Sequence, residues 1–183
     1  SSGDFPLYAS GKTATLWVDE AEETPVKRVV NDLQDDVQRV TGATPSISHE
    51  AEVPGPVVIV GTLDHSAKIQ ELVQSGAITE DELAAIQDQW EAYLIKVVDA
   101  GTLVIAGSDN RGAIYGVYEL SEQMGVSPWY FFADVPTQTK TAVYLPAGTS
   151  VTDKPDVRYR GIFLNDEEKL SRWVSNVFNP EYG

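Results

Sequence analysis

Cysteine is absent from the 183 residues, methionine occurs once, histidine twice, and lysine plus arginine number 13 against 28 aspartates and glutamates. Without cysteine there is neither a disulfide framework nor a thiolate metal site, and the redox compartment leaves no trace in the sequence. His49 and His65 fall in different segments, so no metal and no cofactor is assigned. The shortage of basic residues gives a formal net charge of −15. Such a field repels polyphosphate, so neither nucleic acid nor a membrane is expected as a partner. It does not govern one cleft, where an anionic sugar could still be held. Also missing is any apolar run near the ~20 residues of a membrane span. No charged-then-apolar leader opens the chain, and a soluble protein is expected.

What is present is a core. Hydrophobic residues make up 42% of the chain, enough for one domain, or for one domain and part of a second. Thr13 to Val18 (TATLWV), β-branched and aromatic, predicts a strand. Thr24 reads as an N-cap and Pro25 as the first helical position. Val26, Val29, Val30, Leu33, Val37 and Val40 then form one apolar stripe, Lys27, Arg28, Asp32, Asp35, Asp36 and Arg39 take the wet face, and Gly42 stops the helix. A short strand at 45–49 and the turn VPGP lead to Val57 to Thr62, a continuous apolar run that predicts the centre of the sheet. Helices are predicted at 65–74 and 80–89, the second opened by Thr79 and Glu82 at capping-box spacing. Ala92 to Val98 and Thr102 to Ser108, joined by Asp99-Ala100-Gly101, predict an antiparallel hairpin and therefore a mixed sheet. A helix at 109–124, an edge strand at 142–145 and a linker at 146–156 follow. Beyond it come a strand at 158–164 (RYRGIFL), the acidic run Asn165-Asp166-Glu167-Glu168, and a helix at 170–177.

The stretch GSDNRGAIYGVYELSEQMGVSPWYFFADVP, residues 107–136, carries the most information. Ala113, Ile114, Val117, Leu120 and Met124 direct one face of its helix at the sheet. Gly112 and Gly116 flank that face. Each costs roughly 1 kcal/mol against alanine, which close approach of the helix backbone to the sheet explains. A phosphate cradle would need glycines in the loop before the helix, where Gly107-Ser108-Asp109-Asn110-Arg111 stands instead. Trp129, Tyr130, Phe131 and Phe132 either plug the end of the domain, meet a second domain, or form a wall for a sugar ring.

That stretch, followed by VRYRGIFLNDEE and RWVSNVFNPEYG in this order and spacing, resembles the N-terminal part of glycoside hydrolase family 115, the xylan α-1,2-glucuronidases, over most of residues 13–183. The earlier strands resemble more loosely the small α/β domain that precedes the catalytic barrel in hexosaminidases and family 67 glucuronidases. The resemblance implies an N-terminal α/β accessory domain at 1–150, a mixed sheet with helices packed on it. Residues 151–183 would then be a linker and the first strand and helix of an incomplete (β/α)8 barrel. The implied reaction is inverting removal of glucuronic acid or its 4-O-methyl ether from xylan or glucuronoxylan oligosaccharides. It implies too a secreted or periplasmic setting and, as partner, the remainder of the barrel.

Inversion needs a protonated carboxyl and a carboxylate about 6.5 to 9.5 Å apart, which neighbours in NDEE cannot supply. The acid and base are expected on later strands, leaving the fragment inactive alone. Asp166, then Asn165 and Glu167, are the candidate substrate-binding residues, at the end of a barrel strand where functional groups converge. A helix N-cap with first-turn carboxylates is the other reading of the same run. Arg111, Arg158 and Arg160 could each grip a uronate carboxylate or make a structural ion pair. Two further hypotheses stand beside the enzyme fragment. One is a module holding a small sugar through Trp129, Tyr130 and the helix start at Asp109; the other is a docking domain that uses the aromatic run.

Overall fold

The structure is a computed structural model and describes residues 3–127 and 137–156. The predicted elements at 158–164 and 170–177, and with them the barrel start, lie outside the described residues.

Two sheets form. In the smaller, β1 (Phe5–Ala9) lies between β2 (Lys12–Thr13) and β8 (Val143–Leu145), antiparallel to both. The larger has six strands in the order β4-β3-β5-β7-β6-β9. Its strands β3 (Thr15–Val18), β4 (Ile47–Ser48), β5 (Val57–Thr62) and β7 (Thr102–Gly107) run parallel, while β6 (Tyr93–Asp99) and β9 (Ser150–Asp153) are antiparallel to their neighbours. The mixed sheet predicted from the 99–101 turn is therefore present.

Side chains on the central strands alternate between two cores, as the period of two requires. Leu16, Val18, Val58, Val60, Leu103 and Ile105 face one core, shared with helices α1 (Thr24–Thr41) and α4 (Asn110–Met124) and with Phe5, Leu7 and Leu145 of the small sheet. Trp17, Ile59, Val104, Leu94 and Ala106 face the other, beside Ile69 of α2 (Ala67–Gln74) and Ile86 of α3 (Glu80–Ile86). All six residues of the predicted α1 stripe are buried. Their transfer from water contributes on the order of 10 kcal/mol before chain entropy is set against it. Gly42 ends α1 at φ 75°, its N–H donating to the Gln38 carbonyl, a backbone state that glycine adopts without strain.

Four local expectations change. The N-cap of α1 is Glu23, whose side chain makes no capping bond, and Thr24 is already helical. The single strand expected at 13–18 divides at Ala14. The Ala14 N–H still serves the small sheet, donating to Leu7 O, whereas that of Thr15 donates to Pro56 O. Strand β1 was not expected, because Pro6 interrupts its pattern; the structure accommodates it beside an irregularity in register with β8. Within the segment expected to be irregular, Ser150–Asp153 forms β9 against β6. All four of its side chains are exposed, so no apolar alternation marked it.

Candidate functional site

The start of α4 tests the anion-binding reading. Asp109 occupies the cap itself: Gly112 N–H donates to its Oδ1 at 2.8 Å and Glu91 N–H to its Oδ2 at 3.0 Å. The helix N-terminus thus already holds a carboxylate, which leaves a phosphate or uronate no seat there. The glycines let the helix approach the sheet closely, Gly112 against backbone and Gly116 against side chains. A Cβ on Gly112 would lie 2.1 Å from Ala92 O, and one on Gly116 2.7 Å from Ile105 Cγ2. Arg111 pairs with Glu91 at 2.8 Å, the carboxylate only 1% exposed, so the structural ion pair is the reading that holds.

Ligands in open α/β sheets bind where connections diverge beyond the carboxyl ends of parallel strands. Here that point lies between β3, which leads through α1 to β4, and β5, which leads through α2 and α3 to the other half of the sheet. A side-chain network fills it. Glu22, 3% exposed, accepts from Thr62 N–H at 2.6 Å and from the Thr62 hydroxyl at 3.1 Å. His65 Nδ1 stands 3.1 Å from the same hydroxyl, and Asp19 accepts from Ala67 N–H at the start of α2. Burial pushes the Glu22 carboxyl above its usual range, against the Thr62 hydrogen bonds and the nearby His65 that pull it down. Nothing in the sequence singled out Glu22; only the fold brings it to Thr62.

Cavities also open among the described residues. One of about 430 Å³ opens between α2, α3 and the ends of β5 and β7, lined by Asp64, Gln74, Gln87, Asp88 and Ser108. A second, about 540 Å³, runs between α1 and α4, where Arg28, Asp32, Asp36 and Arg39 face Tyr118, Ser121 and Glu122. A third, about 260 Å³, lies across α4 from it and is lined by Tyr93, Tyr115, Tyr118, Glu119, Glu122 and Asp153. Asp36 is committed to Arg39 at 2.6 Å. Burial, then Asp32 and Asp36, raise the Tyr118 phenol; burial, then Glu119 and Asp153, push the Tyr93 phenol up to about 12. Sequence reading placed no function on Tyr115 and Tyr118, although their spacing of three on the side of α4 away from its apolar face was legible. Asn165, Asp166, Glu167, Arg158, Arg160 and Trp129 to Phe132 lie outside the described residues.

Asp32, Asp35 and Asp36 share one helix, and no group of three or more His, Cys, Asp or Glu among the described residues could hold a metal ion.

The family described as Glycosyl hydrolase family 67 N-terminus matches residues 8–120. The chain belongs to this family. It is thus a glycoside hydrolase N-terminal domain, and the match runs from β1 into α4. A solved family GH115 4-O-methyl-α-glucuronidase with specificity for decorated arabinogalactans is 32% identical over 97% of this chain, with a TM-score of 0.76. The chain spans 22% of that protein's length. A GH20 β-N-acetylhexosaminidase from Streptomyces coelicolor shares the fold at 16% identity and a TM-score of 0.50, over 85% of this chain and 24% of its own. A Streptomyces plicatus β-hexosaminidase does so at 14% and 0.50, with the same coverage. No curated protein matches the chain.

Proposed function

We propose that this domain serves an α-glucuronidase that releases glucuronic acid or 4-O-methylglucuronic acid from xylan by inverting hydrolysis, with the chemistry performed by a following (β/α)8 barrel. The observation that carries the reading is the 32% identity to a 4-O-methyl-α-glucuronidase across 97% of the chain, well past the residues of the domain family. The described residues support a scaffold role. The two places where an α/β domain ordinarily takes a ligand, the helix start at Asp109 and the strand switch point at Glu22, are occupied by the domain's own carboxylates. In this reading Asp166, with Asn165 and Glu167, lines the substrate site at the end of the first barrel strand. The acid and base stand on later strands, the 183-residue chain alone is inactive, and the enzyme meets its polymer outside the cytoplasm.

The specificity of that same relative for decorated arabinogalactans favours a second substrate, arabinogalactan carrying the same uronic acid. Assay of the longer enzyme on glucuronoxylan oligosaccharides and on decorated arabinogalactan, with the anomer of the released sugar followed by NMR, decides between them. Faster release from xylan, with inversion, is expected. Preference for arabinogalactan replaces the substrate, and release of a neutral sugar instead of a uronic acid overturns the proposal.

A further inference from the structure

The outward face of α4 carries exposed aromatics. Tyr118 is 49% and Tyr115 37% exposed, one helical turn apart, and Glu119 and Glu122 continue the ridge. Tyr118 and Glu122 line both the 540 Å³ and the 260 Å³ cavities, which makes these one surface extending from α1 across α4 to β9. Beneath it the Ser121 hydroxyl is buried, 4% exposed, lines the larger cavity and has no hydrogen-bond partner.

We infer that this surface is the seat of the catalytic portion of the same polypeptide, which rests on the proposed reading that such a portion follows the domain. Two observations select this occupant. Asp153, Lys154 and Pro155 line the smaller cavity, so the chain leaves the last described strand at the edge of the surface. The chain spans 22% of the length of its glucuronidase relative, and in the proposed reading a body several times its size remains to be held. The surface carries Asp32, Asp35, Asp36, Glu119, Glu122 and Asp153 against Arg28, Arg39 and Lys154. It therefore fits a partner face of apolar and basic side chains, with Tyr118 as the anchor.

The test uses the longer enzyme with Tyr118→Lys, Glu122→Lys and, as a matched charge change on the opposite helix layer, Glu71→Lys. Thermolysin cleavage after Asp156 and calorimetric unfolding are the readouts. The wild type and Glu71→Lys are expected to resist cleavage and to unfold in one transition. Tyr118→Lys and Glu122→Lys are expected to be cut at least about tenfold faster and to unfold in two. Should a lysine variant prove misfolded, as judged by a lowered midpoint in the 183-residue chain, Tyr118→Ser takes its place. Equal cleavage in all variants, or two transitions in the wild type, overturns the inference. Activity is measured separately: a coupled enzyme that releases no uronic acid refutes the proposed function and leaves the docking surface standing, and the reverse outcome separates them equally.

Discussion

The two faces of α4 are built to opposite rules. On the inner face Gly112, Ala113, Gly116, Val117, Leu120 and Met124 are all buried, and the two glycines let the helix approach β6 and β7 more closely than any side chain would permit. On the outer face Tyr115 and Tyr118 stand over cavities and are half in water. Among the described residues, then, one helix is fully packed toward its sheet and leaves two tyrosines partly exposed on its other side. Helical periodicity separates the faces even where they adjoin in sequence, as at Tyr115 and Gly116.

Substitutions that add atoms to the inner face should give the largest effects. Gly112→Ala places a Cβ 2.1 Å from a backbone oxygen that cannot move without displacing β6. A loss of about 3 kcal/mol or more is expected, despite the roughly 1 kcal/mol that alanine returns in helix propensity. Urea unfolding measures it, and a neutral result would break the contrast between the faces.

The next effect concerns a carboxylate on the opposite layer. Glu82 caps α3 through Thr79 and also accepts from Lys96 Nζ and the Ser150 hydroxyl, each at 2.6 Å. Burial alone would raise its carboxyl, but the bonds from Lys96, Ser150 and Thr79 outweigh it and hold the group at about 2. Because the folded value lies below the unfolded one, the stabilisation is present above about pH 4.5 and is lost as pH falls through about 2. Glu82→Gln should therefore cost on the order of 2 kcal/mol at pH 6, with the gap to wild type shrinking below pH 4.5. Unfolding at a series of pH values reads both.

Gly116→Ala meets a side-chain methyl at 2.7 Å rather than backbone, and Ile105 can yield in part. About 1 to 2 kcal/mol is expected, less than at Gly112. On the outer face Tyr118→Ser in the 183-residue chain should change the unfolding midpoint by little, within about 0.5 kcal/mol. A large loss there would mean the outer face is packed within the domain itself.

Much of this was legible in the sequence because apolar periodicity and punctuation act locally. The α1 stripe, Gly42, the capping box at Thr79 and Glu82, the hairpin around Asp99 to Gly101 and the packing role of Gly112 and Gly116 were all readable. What failed to show depended on partners distant in sequence or on patterns without apolar contrast. Strand β9 exposes every side chain, Pro6 masked β1, and Glu22 finds its hydrogen-bond donor Thr62 forty residues away. Glu82 was visible as a capping residue, but its bonds to Lys96 and Ser150 were not. Asn165, Asp166 and Glu167 were chosen from a family resemblance and lie outside the described residues, so for them the sequence remains the sole argument.

The central claim is that this domain supports chemistry it does not perform. Incubating the purified 183-residue chain with aldouronic oligosaccharides, and measuring uronic acid beside the longer enzyme under the same conditions, tests it most directly. The account predicts no release by the domain alone and release by the longer enzyme; uronic acid set free by the domain alone would contradict it.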